Sequence, residues 1–272
     1  MRYKAIVAYD GSAYQGFQKL AGTQPSVLGT ITRVIEQING AEVKVLGAGR
    51  TDAGVHATGQ VIAFDLPTWK HNVETLLQAL NATLPTDIAI LRLEHTQPDF
   101  HPRFEARSRT YRYLVYEAPI RHPLLAGTHW HIRPFQGQVL DVDKMNAAAA
   151  QLIGTHDFAS VGTPPEDHNG GSKSSVREMF RSEWREQPHE LGRVIAYTIE
   201  ANAFLYHMVR TIVHALVDVG AARLTLDSFE ENFQARDRSR FRRLAPAHGL
   251  TLISVSYDDS GTTPAGEKQH DI

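Results

Sequence analysis

Within the first hundred residues the apolar pattern changes period in the order strand, helix, strand, strand, helix, strand, and few folds accept that order. Alternating or β-branched runs occupy residues 2–10, 42–46, 60–65 and 88–94. Val27, Ile31, Val34, Ile35 and Ile38 recur at helical spacing and stop at Asn39-Gly40, while Val73, Leu76, Leu77 and Leu80 mark a second helix. A chain of this kind closes as a split βαβ unit, with both helices on one face of an antiparallel sheet. The opposite face stays available for a ligand.

Between the second and third strands stands Gly47-Ala48-Gly49-Arg50-Thr51-Asp52-Ala53-Gly54-Val55-His56-Ala57. Three glycines in eight residues argue against a regular interior and for close backbone approach. Phosphate-binding readings fail on spacing. Position 52 is Asp where G-x-G-x-x-G needs Gly, and Val55-His56 stands where a P-loop needs Lys and then Ser or Thr. Both of those motifs also open a helix, whereas residues 60–65 read as a strand. The bland alternative is a turn with an Asx hydrogen bond. The other reading is a carboxylate, Asp52, presented by a loop at a sheet's edge.

After Pro98 and Pro102 the pattern restarts. Strands are expected over 110–117, 180–186, 194–200 and 250–257, and helices over 143–152, 206–219 (closed by Gly220) and 228–235. The expected units are 1–104 and 105–258, with a polar, frayed tail over 259–272 and a mobile loop over 162–173. The fold class is α+β: two ferredoxin-like (RRM-like) plaits with mainly antiparallel sheets and an active-site cleft between them.

No cysteine is present, which removes disulfides, thiolate nucleophiles and thiolate-bound zinc. Fourteen histidines include no H-E-x-x-H pair, and no metal is expected. The opening Met1–Ile6 lacks an apolar export core, and the apolar run near Ile212 is broken by His214 and Asp218. A cytoplasmic protein without a membrane span is expected. Net charge is −2, from 28 Lys and Arg against 30 Asp and Glu, so phosphate binding needs local patches. Two exist. Arg103, Arg107, Arg109 and Arg112 form one, interleaved with Tyr111 and Tyr113; Arg236, Arg238, Arg240, Arg242 and Arg243 form the other. Either is a solvated face or an RNA contact.

The segment Gly49-Arg50-Thr51-Asp52-Ala53-Gly54-Val55-His56-Ala57 resembles the signature loop of the TruA family of tRNA pseudouridine synthases. The resemblance continues through Phe100-His101-Pro102-Arg103-Phe104, Tyr111-Arg112-Tyr113, His156-Asp157-Phe158, Phe204-Leu205-Tyr206-His207-Met208-Val209-Arg210 and Ala245-Pro246-Ala247-His248-Gly249-Leu250, in family order. It implies isomerisation of uridine to pseudouridine at tRNA positions 38, 39 and 40, in the anticodon arm. By the same route Asp52 is the catalytic carboxylate, acting as nucleophile or as base on the sugar. Arg210 lies against it, Arg50 helps to expel the target base, Tyr111 stacks on the flipped uracil and Leu250 packs on the base's other side. A homodimer acting on tRNA without a cofactor is implied. His56, His101, His207 and His248 fall inside matching motifs and are expected to make structural hydrogen bonds. Departures from the family pattern stand at Phe17 and at Val27-Leu28-Gly29, where packing or RNA contacts are at stake, and in the loop over 164–175. Two other classes stay open: a tRNA-folding protein with a non-essential site, and a hydrolase, which normally needs a second carboxylate across the scissile bond.

Overall fold

The computed structural model describes residues 1–19, 24–134, 136–164, 174–187, 189–190 and 192–258 of the 272. Most of the loop expected over 162–173 and all of the tail after 258 lie outside the described residues.

The first half contains β1 (Arg2–Tyr9), α1 (Val27–Asn39), β2 (Leu46–Gly47), β3 (His56–Asp65), α2 (Val73–Thr83) and β4 (Ile88–His95). Strict alternation in β1 buries Tyr3, Ala5, Val7 and Tyr9 on one face. Each helix carries its own stop and start chemistry. The Ser26 side chain accepts from Gly29 N at 3.3 Å to open α1, and left-handed Gly40 (φ 74°) closes it by donating to Glu36 O at 2.8 Å. Asn72 caps α2 through Thr75 N at 2.8 Å.

The second half contains β5 (Ser108–Glu117), β6 (Trp130–Ile132), α3 (Val142–Ala150), β7 (Gly154–Asp157), β8 (Val176–Gln187), β9 (Arg193–Ala201), α4 (Met208–Gly220), α5 (Leu226–Gln234) and β10 (Leu250–Ser256). Ten strands make one sheet in the order β4-β1-β3-β10-β5-β9-β8-β7, with β2 on β3 and β6 on β5. The first half thus runs β4-β1-β3-β2, and the second repeats that order as β10-β5-β9-β8. The α+β class with mainly antiparallel pairing is as expected, and its sheet is continuous. Parallel pairs Thr251↔His56 and Leu252↔Ala57 weld β10 to β3. One apolar core runs through both halves, from Tyr3 to Leu252. No helix among the described residues is long and apolar enough to cross a membrane.

Several expected boundaries need correction. The strand expected over 42–46 shrinks to Leu46–Gly47, and the one expected over 60–65 begins at His56. Both changes have one cause. The outer edge of β3 is shared, with β2 pairing at Ala63 and Ile62 while β10 takes His56 and Ala57. α4 starts at Met208 rather than 206, because His207 has left-handed backbone (φ 64°). β6 and β7 had no sequence signal, having only 3 and 4 residues in which to show a period. The departure at Phe17 falls on packing: its ring is buried against Tyr9 and leaves no space for a side chain at Gly47, where a Cβ would lie 2.3 Å from Phe17 Cε1.

Candidate active site

The glycine loop is held from beneath, which leaves its tip fixed in space. Thr51 is buried and its hydroxyl lies 2.8 Å from the Tyr9 hydroxyl, while Phe17 N donates to Thr51 O at 3.1 Å. Fully buried Gln60 donates to Gly49 O at 3.0 Å. Val55 N reaches back to Asp52 O at 3.2 Å across a turn in which Gly54 takes φ 76°. Gly16, at φ 95°, lies so close that a Cβ there would sit 2.8 Å from Thr51 O. Asp52 therefore stands on a supported loop with its side chain 22% exposed.

The second half supplies the cation. Arg210 Nη1 donates to Asp52 Oδ2 at 2.9 Å, joining residues 158 positions apart. The guanidinium is itself anchored, since its Nε donates to Ala245 O at 2.8 Å, and the two backbones are tied by Ala245 N donating to Arg210 O at 3.0 Å. Two-point holding of this kind fixes the plane of the guanidinium and hence the carboxylate it meets.

Tyr111 lies in β5, 7% exposed, with its ring edge-on to Phe204 at 5.2 Å and 89°. Burial pushes its phenol pKa up to about 12, helped by the Asp52 charge and opposed by Arg109. The phenol therefore keeps its proton at neutral pH. Leu250 is buried at the start of β10 opposite Tyr113, with Leu252 opposite Tyr111, so all four share one face of the sheet. Arg50 is exposed and makes no hydrogen bond or ion pair among the described residues. The fold thus brings Asp52, Arg210 and Tyr111 together, sets Leu250 one pair along from Tyr111, and leaves Arg50 outside the network.

Three of the four motif histidines do make structural hydrogen bonds. His56 Nδ1 accepts from Gly11 N at 3.1 Å while its Nε2 faces Gly127 O and His248 O at 3.0 and 3.1 Å, which puts a proton on Nε2. His101 Nδ1 accepts from Arg103 N at 3.2 Å, and His248 Nε2 donates to His129 O at 3.1 Å. His207 is different. Its Nε2 lies 3.6 Å from Asp52 Oδ2 and its ring stacks on Tyr206 at 3.6 Å. Burial lowers its pKa below the usual imidazole value, Asp52 pulls the other way, and Arg210 and Arg238 add to the lowering. Gly16, Ala245 and Phe204 complete the surroundings of the site; Ala245 and Phe204 stand inside motifs of the resemblance but had no role assigned, and Gly16 carried no sequence signal.

Two arginines of the first patch are engaged within the protein. Arg109 donates to Asn202 O, Ala48 O and Arg103 O at 3.0, 2.9 and 3.0 Å, and Arg107 pairs with Asp258. Among the described residues no three metal-ligating side chains cluster.

A family model described as tRNA pseudouridine synthase matches residues 5–105 and 148–258. The chain belongs to that family. Relatives named tRNA pseudouridine synthase A agree. That of Chloroflexus aurantiacus is 42% identical over 93% of this chain and 87% of its own length; that of Caulobacter vibrioides is 40% identical over 95% and 99%. That of Neisseria meningitidis is 37% identical over 95% and 93%. A solved Cbf5-Nop10-Gar1 complex aligns with 79% of this chain and 54% of its own at a TM-score of 0.32 and 13% identity, too slight a likeness to bear on function. As a tRNA pseudouridine synthase, the protein is an isomerase that converts uridine to pseudouridine in tRNA. Arg50, Asp52, Arg210 and Leu250 fall inside the segments matched by the family model, whereas Tyr111 falls in the interval between them.

Proposed function

We propose that this synthase modifies uridines 38, 39 and 40 of the tRNA anticodon stem-loop, with Asp52 as the group that reacts at the sugar. The isomerisation breaks the bond from N1 to C1′, turns the uracil and rejoins it through C5, which gives up its hydrogen as a proton while N1 gains one. The leaving base is also the incoming nucleophile, so the overall change is redox-neutral and asks for no cofactor. Asp52 either attacks C1′ or removes a sugar proton to let the base depart. Arg210 orients its carboxylate, the protonated Tyr111 ring stacks on the uracil, and Leu250 closes the other side. Arg50, unengaged among the described residues, takes the space vacated by the flipped base. The units 1–104 and 105–258 supply Asp52 and its cation respectively, and the enzyme acts as a homodimer in the cytoplasm.

The observation that carries this reading is the 2.9 Å contact from Arg210 to Asp52 across the two halves of the chain. It is tested with tRNA carrying tritium at uracil C5. The parent releases tritium without added cofactor, and Asp52→Asn, which keeps shape and loses charge, binds tRNA and releases only background. Replacing U38, U39 and U40 in turn removes each position's share. Release by the variant, or release that survives loss of all three uridines, overturns the assignment. Sedimentation at twice the 30.3 kDa chain mass is expected, and a monomer that retains full activity contradicts the dimer.

A further inference from the structure

Beyond Arg210, α4 contributes to a second feature. His207, just before the helix, and Thr211, His214 and Asp218 within it recur every three or four residues and form one stripe. From Thr211 to Asp218 this side of the helix floors a cavity of about 250 Å³, whose other walls come from the turn after α4, from Asn232 of α5 and from residues 239–243. At a rise of about 1.5 Å per residue, the cavity begins beside Arg210 and ends ~12 Å along the helix from it.

The charge inside the cavity is unlike that of the chain. Arg223, Arg240, Arg242 and Arg243 face a single carboxylate, Asp218, although the protein as a whole carries −2. Asp218 is already engaged, 2.6 Å from Arg223 Nε and 3.2 Å from His214 Nδ1. The other three arginines have capacity left. Arg242 spends only Nε, on Ser239 O at 3.0 Å; Arg240 meets Asp237 at a distant 3.9 Å; Arg243 makes no hydrogen bond or ion pair among the described residues. They do not hang on a free loop. Arg238 donates to Thr211 Oγ1 at 3.1 Å and to Phe241 O, pinning the segment to α4.

We infer that this cavity binds a backbone phosphate of the substrate RNA, one or two nucleotides from the uridine held at Asp52. The inference rests on the reading of Asp52 as the reacting group. Planar guanidinium groups match phosphate oxygens in pairs. The volume is below the roughly 300–1,000 Å³ of small-molecule sites, and suits a phosphodiester with its waters rather than a base and sugar. Of the two rings lining it, Phe241 is buried, and His214 is 14% exposed and already set against Asp218 and Trp130, so neither offers an open face for base stacking.

The test is tRNA binding by R242Q/R243Q, both exposed positions, across a salt series. Affinity falls about tenfold near 0.15 M salt, and the slope of log K against log salt shrinks by about one for each phosphate that the variant no longer neutralises. A tRNA with one neutral methylphosphonate within two nucleotides of the target then weakens the parent as much, and weakens the variant no further. An unchanged slope overturns the inference, as does an additive loss or a loss equal at every linkage. A variant that sediments as a monomer while the parent is a dimer overturns it in favour of a contact between copies. Tritium release by the parent is measured on the same tRNA. Its absence counts against the isomerase site alone, while the salt slope still reports on the cavity.

Discussion

At the scale of single residues, the contact that matters joins two side chains from opposite ends of the chain. Arg210 does two things, meeting Asp52 with Nη1 and Ala245 O with Nε. A lysine carries the charge as a point on a flexible stem and lacks the rigid planar fork that reaches Asp52 and Ala245 O from two separate nitrogens. Arg210→Gln is expected to lower kcat by about 100-fold through misplacement of the carboxylate, with a much smaller effect on KM. Arg210→Lys falls between that variant and the parent. Single-turnover tritium release at saturating enzyme measures both, and an R210K enzyme with parental kcat would show that charge alone suffices. The residues of this pair were legible because each lies in a dense motif. Their contact was legible only through the family resemblance, since nothing local in residues 47–57 or 204–210 encodes the other. The roles of Ala245 and Gly16 were not legible, because both act through the backbone, which leaves no residue-type signal.

Among elements, β3 holds the seam. It is a strand of the first half whose leading end pairs with β10 from the second, through just two pairs, His56↔Thr251 and Ala57↔Leu252. Beyond them β10 shifts register between Leu252 and Ser254, and it comes so near that a Cβ at Gly59 would lie 2.0 Å from Ile253 O. The obstacle is backbone, which cannot swing aside as a side chain could. Gly59→Ala is therefore expected to cost about 1–3 kcal/mol or more and to reduce activity in parallel, because Asp52 and Arg210 meet across this seam. Gly127→Ala is the control, since a Cβ there meets nothing within 4 Å. Thermal melts read with tritium release check both. A G59A protein as stable as its parent would mean that the β10 bulge yields. The same seam explains what the sequence hid. β1, α1, α2, β4 and β5 each carry a complete apolar period and were read nearly to their ends. By contrast, β2 is cut short and β3 extended by a strand from the far end of the chain, a tertiary effect that no local window contains.

For the molecule as a whole, the junction of the halves is rich in imidazoles, and burial lowers the pKa of three of them. His56 Nε2 faces Gly127 O and His248 O, His248 Nε2 donates to His129 O, and His207 opens α4 beside Asp52. Burial is the first cause of a lowered pKa at His129, His207 and His248. Other charges reinforce it, His189 for His129 and His56 for His248. Linkage then sets the sign. An unfolded histidine takes up its proton near pH 6.5, whereas these three resist until the pH is lower. Between those limits the unfolded chain holds more protons, so stability rises with pH across the window. It is fully present above about pH 6.5 and is lost as the pH falls through the depressed folded values. The melting temperature is thus expected to be level from pH 8 to 7 and to decline towards pH 5. Carboxylates held below their usual values, Asp218 among them, act in a lower window. His248→Gln separates the contributions: the glutamine amide retains an N–H for His129 O but takes up no proton, so this variant should lose less of its melting temperature between pH 7 and 5 than the parent does. A parental decline in that variant would remove His248 from the account, and a flat parental profile would remove all three.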